Sequence, residues 1–298
     1  FGVGLRGTER ISLGIGSGER NLKGLGNGGL PPTYLVKDEE LEVEIDGVAL
    51  ELVAAPGESD DTLLVWLPEK KVLICGDTFY HTFPSLYSLW GERRRDIRRW
   101  IESLEIMIDF EAEVLIPGHT RPVSGKDEIK TILTHYHAAL SHIHTEIVSG
   151  INKGLGPDEL VETLELPAQL ADLPYLQEFY GSLAWGIRAI YSDYLGWFDG
   201  NPTNLSPLSR LDAGIRIANM VGGEDMLLAQ LKRLVHQRDP KDWQWGLQLA
   251  DYLMALGSFE DEATDIKADL LLLLADEEQN AIARNWYIYS ARELRREI

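Results

Sequence analysis

From Leu41 the apolar residues of this chain alternate with polar ones or gather into short runs, and after Gly125 they recur at helical spacing to the end of the sequence. Spacing by two belongs to strands and spacing by three or four to helices, so the change divides the chain into a sheet-bearing part and a helical part. LEVEIDGVALELVAAPG reads as two strands joined at Asp46-Gly47, a dipeptide that accepts the positive φ of a tight hairpin. DTLLVWLPEKKVLICGD repeats the design with a turn around Pro68-Glu69-Lys70, and AEVLIPGH supplies a further short buried strand. A helical stretch from about Glu92 to Ile108 lies between the last two, as in a layered α/β domain. KDEIKTILTHYHAALSHIHTEIVSGINKG is one long helix, with Asp127 and Glu128 near its positive end. From Trp243 the pattern reads as three consecutive helices, the first stopped by Gly257 and the second capped by Ser258 and Asp261. The layout is that of a tetratricopeptide-style hairpin, which serves packing or association. The expected division is a first domain over 1–150 and an α-helical domain over 151–298, with the boundary near Gly150 to Pro157.

With 298 residues and 44% hydrophobic content the chain can bury a substantial core. The formal net charge of −20 repels phosphate backbones, which argues against nucleic acid as a partner. It also steers no anionic substrate inward, so an anion-handling site must draw on metal ions or a local arginine cluster. Cys75 is the single cysteine and forms no intrachain disulfide. The longest leucine run, Leu270 to Leu274, is far shorter than the roughly 20 apolar residues of a membrane span. Gly24, Gly26 and Gly29 spell G-x-G-x-x-G, but no strand precedes them and Pro31-Pro32 follow where a helix would begin. The nucleotide-binding reading therefore fails its context.

Three residues on separate loops are the candidates for chemistry: Glu58 in APGES, Asp77 in LICGDT and His119 in IPGHT. Each follows an apolar run that ends in a small-residue turn, so each is expected to project from a strand end into one cleft. Two carboxylates and an imidazole suit Zn²⁺ or a similar divalent ion, and a carboxylate can bridge two such ions. Gly-Asp and Gly-His after a strand also serve plain turn chemistry, and both readings stand at this stage.

The order PGE, GDT, PGHT resembles the metallo-β-lactamase superfamily. YGSLAWGIRAIYSDYLGWFDGNPTNLSPL, MVGG and ARNWYIYSARELR resemble the dimerisation domain of the alkyl sulfatase family within it. The resemblance implies part of an αββα sandwich followed by a helical dimerisation domain, hence a homodimer. It implies hydrolysis of sulfate esters of hydrophobic alcohols at a dinuclear Zn²⁺ site. By that resemblance Glu58, Asp77 and His119 are metal ligands, with Asp77 at the position of the bridging carboxylate, and His81 is a retained family histidine suited to proton transfer or to holding a ligand in place.

Departures bear on the substrate. The family's sulfate-binding Asn and Arg fall at Ser85 and Trp90, while the Arg95-Asp96 pair is kept within a basic cluster that includes Arg93, Arg94, Arg98 and Arg99. One of these arginines could take over the sulfate contact, or the cluster is a solvated helix face. The family's H-x-H-x-D-H run does not occur in the 298 residues. The expectation is that it lies upstream of Phe1 and that the chain alone is metal-poor. His135, His137, His142 and His144 fall within a helix, where neighbours two apart point to different sides, and are read as helix histidines. Another ester, such as a lactone or phosphodiester, and a non-catalytic dimerising protein are the rival readings. Trp197, Phe198 and Trp286 would be buried between subunits or within the domain's own core.

Overall fold

The computed structural model describes residues 11–12, 31–36, 40–89, 91 and 95–297; Gly24, Gly26, Gly29, Trp90, Arg93 and Arg94 lie outside the described residues. The chain divides into two compact units between Asn201 and Pro202. The first unit is built on a sheet of β1 (Glu40–Ile45), β2 (Val48–Ala54), β3 (Leu63–Leu67), β4 (Val72–Gly76), β5 (Val114–Pro117) and β6 (Val123–Ser124), arranged in sequence order. Asp46 and Gly47 both hold positive φ, 52° and 78°, which is what a two-residue hairpin with matching twist requires.

The helices of this unit are α1 (Ile97–Asp109), α2 (Lys126–Asn152), α3 (Pro157–Thr163), α4 (Ala168–Ala171) and α5 (Leu183–Leu195). α1 begins at Ile97 rather than near Glu92. Asp96 is extended and its side chain accepts the Arg98 N–H at 3.0 Å, so the helix starts where its first donors find an acceptor. One face of the sheet buries Trp66, Leu73, Leu115 and Val123, which lie in register from β3 to β6. Trp100, Leu104 and Met107 of α1 and Leu133, Tyr136 and Leu140 of α2 join them in one core. Leu52, Val65, Ile74 and Ile116 form an apolar row on the other face, the pattern of a layer meant to be buried on both sides.

By packing, 151–201 sits with the sheet; the division at 150 follows periodicity instead. The second unit holds α6 (Arg210–Val221), α7 (Glu224–Leu234), α8 (Pro240–Leu256), α9 (Glu260–Glu277) and α10 (Ala281–Leu294) around Leu231, Leu253 and Leu270. Gly257 ends α8 in the left-handed region, as expected. Ser258 and Asp261 do not cap α9. Phe259 occupies the N-cap with φ 56° and makes no side-chain cap, so the acidic first turn of Glu260, Asp261 and Glu262 meets the helix's positive end instead. Among the described residues no helix is long and apolar enough to cross a membrane.

Strand direction places the candidate residues. β2 is antiparallel to β3 and β3 to β4, so β2 and β4 run the same way, and β5 is parallel to β4. The C-terminal ends of β2, β4 and β5, which carry Glu58, Asp77 and His119, therefore lie along one edge of the sheet. Backbone and side chains stitch these ends together. Gly118 N–H donates to Gly76 O at 2.7 Å, Thr78 Oγ1 to Ala55 O at 3.3 Å, Trp100 Nε1 to Thr78 O at 2.8 Å and Ser103 Oγ to Pro56 O at 2.8 Å. The loop at 82–86 is held from the far side of the sequence: Phe83 N–H and Thr82 Oγ1 both donate to Gln177 O, at 2.9 and 2.7 Å. A Cβ on Gly181 would stand 2.2 Å from Pro84 O, a backbone atom that cannot swing away. Gly181→Ala is expected to destabilise the protein by about 1–3 kcal/mol, as overpacking against fixed atoms does. An unchanged midpoint in urea unfolding would contradict the close packing at Pro84.

Candidate metal centre

Asp77 and His119 meet at the ends of the parallel pair β4 and β5. His119 Nδ1 lies 2.7 Å from Asp77 Oδ1. A carboxylate only accepts, so Nδ1 carries the hydrogen, and the exposed imidazole presents Nε2 as its remaining nitrogen. Gly118 makes this approach possible, because a Cβ there would stand 2.7 Å from Asp77 Oδ1. The second Asp77 oxygen and His119 Nε2 are the atoms of the pair that the contact does not use. One hard and one borderline donor on adjacent strand ends are donor types that a divalent ion takes.

Glu58 is placed differently. Its Oε1 lies 3.0 Å from Arg95 Nη1 and accepts the Tyr180 hydroxyl at 3.1 Å. The nearby Tyr80 hydroxyl also draws this carboxyl down. Burial pushes the Glu58 carboxyl up, Arg95 draws it down and the nearby Asp77 pushes it up again, with a net upward shift. Glu58 thus shares an electrostatic neighbourhood with Asp77. Among the described residues, however, no three His, Cys, Asp or Glu side chains are grouped closely enough to hold an ion by themselves. The reason is geometric: two strand spacings of about 4.8 Å separate the β2 and β4 ends, whereas β4 and β5 are neighbours. A carboxylate buried at the more distant end takes the nearest countercharge, which is Arg95.

Arg95 and Ser85, expected at the substrate, are both buried. The Arg95 side chain is 4% exposed and its Nη1 donates to Ser85 O as well as facing Glu58. Ser85 donates its N–H to the Tyr80 hydroxyl at 2.7 Å, and its own hydroxyl turns to Tyr87 O at 3.4 Å. Trp90 lies outside the described residues. His81 stands beside the Asp77–His119 pair through Thr120, with Nδ1 3.0 Å from Thr120 Oγ1. Its ring meets Phe79 edge-on at 5.2 Å. The helix histidines have other partners: His135 the Tyr175 hydroxyl at 2.6 Å, His137 Glu105 at 3.0 Å, His142 Glu165 O at 3.0 Å and His144 the Tyr194 hydroxyl at 2.8 Å. Burial pushes the Cys75 thiol up to about 12, which marks it as core rather than nucleophile. Tyr80, Thr120 and Tyr180 escaped the sequence reading. Thr120 adjoins a candidate, but nothing local marks Tyr180, 122 residues from Glu58.

Comparisons with known proteins bear on the fold and the family. Residues 9–119 match the metallo-beta-lactamase superfamily, and residues 156–297 match the alkyl sulfatase dimerisation family. The chain belongs to the alkyl sulfatase family of the metallo-β-lactamase superfamily. A linear primary-alkylsulfatase of Pseudomonas sp. is 35% identical over 301 residues, covering 99% of this chain and 55% of that protein. An (R)-specific secondary-alkylsulfatase of Pseudomonas sp. is 31% identical over 269 residues, covering 89% of this chain and 40% of the other. The solved structure of a stereoselective inverting secondary alkylsulfatase from Pseudomonas sp. superposes with a TM-score of 0.83 at 30% identity, covering 90% of this chain and 43% of that one. The chain spans about half the length of the curated relatives it matches. Membership in this superfamily points to a metal cofactor.

Burial, then the positive charge of Arg121, hold the His81 imidazole below its ordinary value of 6.5. A histidine depressed in this way contributes stability above pH 6.5 that is lost as the pH falls through its folded midpoint. Ring NMR is expected to show His81 neutral at pH 7 with a midpoint under 6.5. A midpoint at or above 6.5 would contradict the burial and the Arg121 effect.

Proposed function

We propose that this centre serves a metal-dependent hydrolase of sulfate esters of hydrophobic alcohols, acting with two zinc ions. The contact between Asp77 and His119, at 2.7 Å on adjacent parallel strand ends, is the observation that carries the reading. Support comes from the relatives named above as alkylsulfatases. Asp77, His119 and Glu58, the last reached from the β2 end, are the residues of this chain that would hold the metal. Sites of this kind take about four donors per ion, and these three residues supply part of that set.

A divalent ion in such a centre supplies Lewis-acid activation of water and of the ester's oxygens. The chain's own residues orient and move protons around it. His81 keeps Nδ1 on Thr120, which leaves Nε2 as the atom that moves a proton at the leaving oxygen. The buried aromatic wall of Phe79, Tyr80 and Tyr136 excludes water from the inner side of these loops. The residues matched by the dimerisation family are proposed to pair two chains. Trp197, 76% exposed and edge-on to Phe198 at 5.8 Å, is an aromatic that fills no core of its own chain.

One observation favours a second reading, an ester other than sulfate: Ser85 is buried and Arg95 is engaged by Glu58, so neither is presented to an anion. Turnover of dodecyl sulfate, a phosphodiester and a lactone separates the two. The expected result, for the protein that carries this chain, is preference for the sulfate ester and a loss of about 100-fold or more in Asp77→Ala. Unchanged hydrolysis in Asp77→Ala would defeat the proposed centre, and preference for the lactone or phosphodiester would defeat the sulfate assignment.

A further inference from the structure

We infer that Tyr180 is a positioning residue for Glu58, so that the region matched by the dimerisation family also forms a wall of the candidate centre. This rests on the zinc reading above. Tyr180 is 7% exposed and donates its hydroxyl to Glu58 Oε1 at 3.1 Å, the same oxygen that faces Arg95 Nη1 at 3.0 Å. Two donors on one oxygen fix the plane of a carboxylate. Arg95 supplies the countercharge, while the neutral Tyr180 supplies direction without drawing further charge from Glu58.

The Tyr180 backbone has little room to shift. Gly181 is pressed on Pro84, where a Cβ would stand 2.2 Å from the carbonyl oxygen, and Gly186 is pressed on Leu86, where a Cβ would stand 2.8 Å from the side chain. Gln177 O takes two hydrogen bonds from Phe83 and Thr82. The ring stands edge-on to Tyr80 at 5.8 Å and 80°, and Tyr80 is itself buried. The Gln177–Gly186 segment is thus fixed to the loop that follows Asp77 and aims one hydroxyl at a carboxyl 122 residues away.

The test compares wild type, Tyr180→Phe, Glu58→Gln and the double variant in the protein that carries this chain. Zinc alone is titrated by calorimetry, and urea unfolding is followed on metal-free protein. Tyr180→Phe keeps the ring and its packing, so a general loss of fold is not at issue. The expected result is a loss of zinc affinity of about 10-fold or more in Tyr180→Phe, with little further loss when Glu58 is already Gln. Unchanged affinity in Tyr180→Phe, or the same loss in both backgrounds, overturns the inference. If wild type takes up no zinc, the zinc reading fails and the metal-free series decides alone. A smaller effect of Tyr180→Phe in the Glu58→Gln background then supports the positioning of Glu58, and an equal effect overturns it.

Discussion

The parallel pairing of β4 with β5 is the constraint on which the candidate centre depends. It brings two strand ends side by side, and the hydrogen bond from Gly118 N–H, just past β5, to Gly76 O, the last residue of β4, locks them together. A Cβ at 118 would stand 2.7 Å from Asp77 Oδ1, so a side chain there would push the carboxylate from its place beside the imidazole. α1, the crossover that parallel pairing requires, is not a passive link. Its Trp100 and Ser103 satisfy the carbonyls of Thr78 and Pro56, each on a loop that carries a candidate residue.

Glu58 shows what burial does to a charge. The Arg95 and Glu58 side chains are 4% and 13% exposed, and removing one partner of such a pair costs about 3–5 kcal/mol because the other is left buried without compensation. That energy does not make the pair a better source of stability than apolar packing would be. Its consequence is specificity of place: Arg95 cannot serve Glu58 and a bound anion equally. The exposed pairs elsewhere, such as Arg188 with Asp158, hold nothing of comparable weight.

Much of this architecture is legible in the sequence because its signals are local. Asp46-Gly47 specifies a tight hairpin by its φ requirements, and the switch to helical spacing after Gly125 marks α2. The Gly-Asp and Gly-His turns mark Asp77 and His119 as strand-end residues, and topology brings them together. What escaped is non-local. The partners of Arg95 follow from how deeply it is buried, which no spacing reveals, so a residue expected at the substrate is found against Glu58. Tyr180 reaches the centre from a segment whose motifs speak for association. The start of α1 was misplaced because the basic run before Asp96 reads as helix, whereas the Asp96 cap sets the boundary. Ser258 failed as a cap because Phe259 takes the left-handed conformation ahead of α9.

The central claim is that Asp77 and His119 hold a common metal ion. Anomalous diffraction at the zinc edge, from crystals of this protein grown with zinc, tests it most directly. The account predicts a peak in contact with the Asp77 carboxylate and with a ring nitrogen of His119. A peak bound elsewhere, with Asp77 and His119 still paired only to each other, would contradict it.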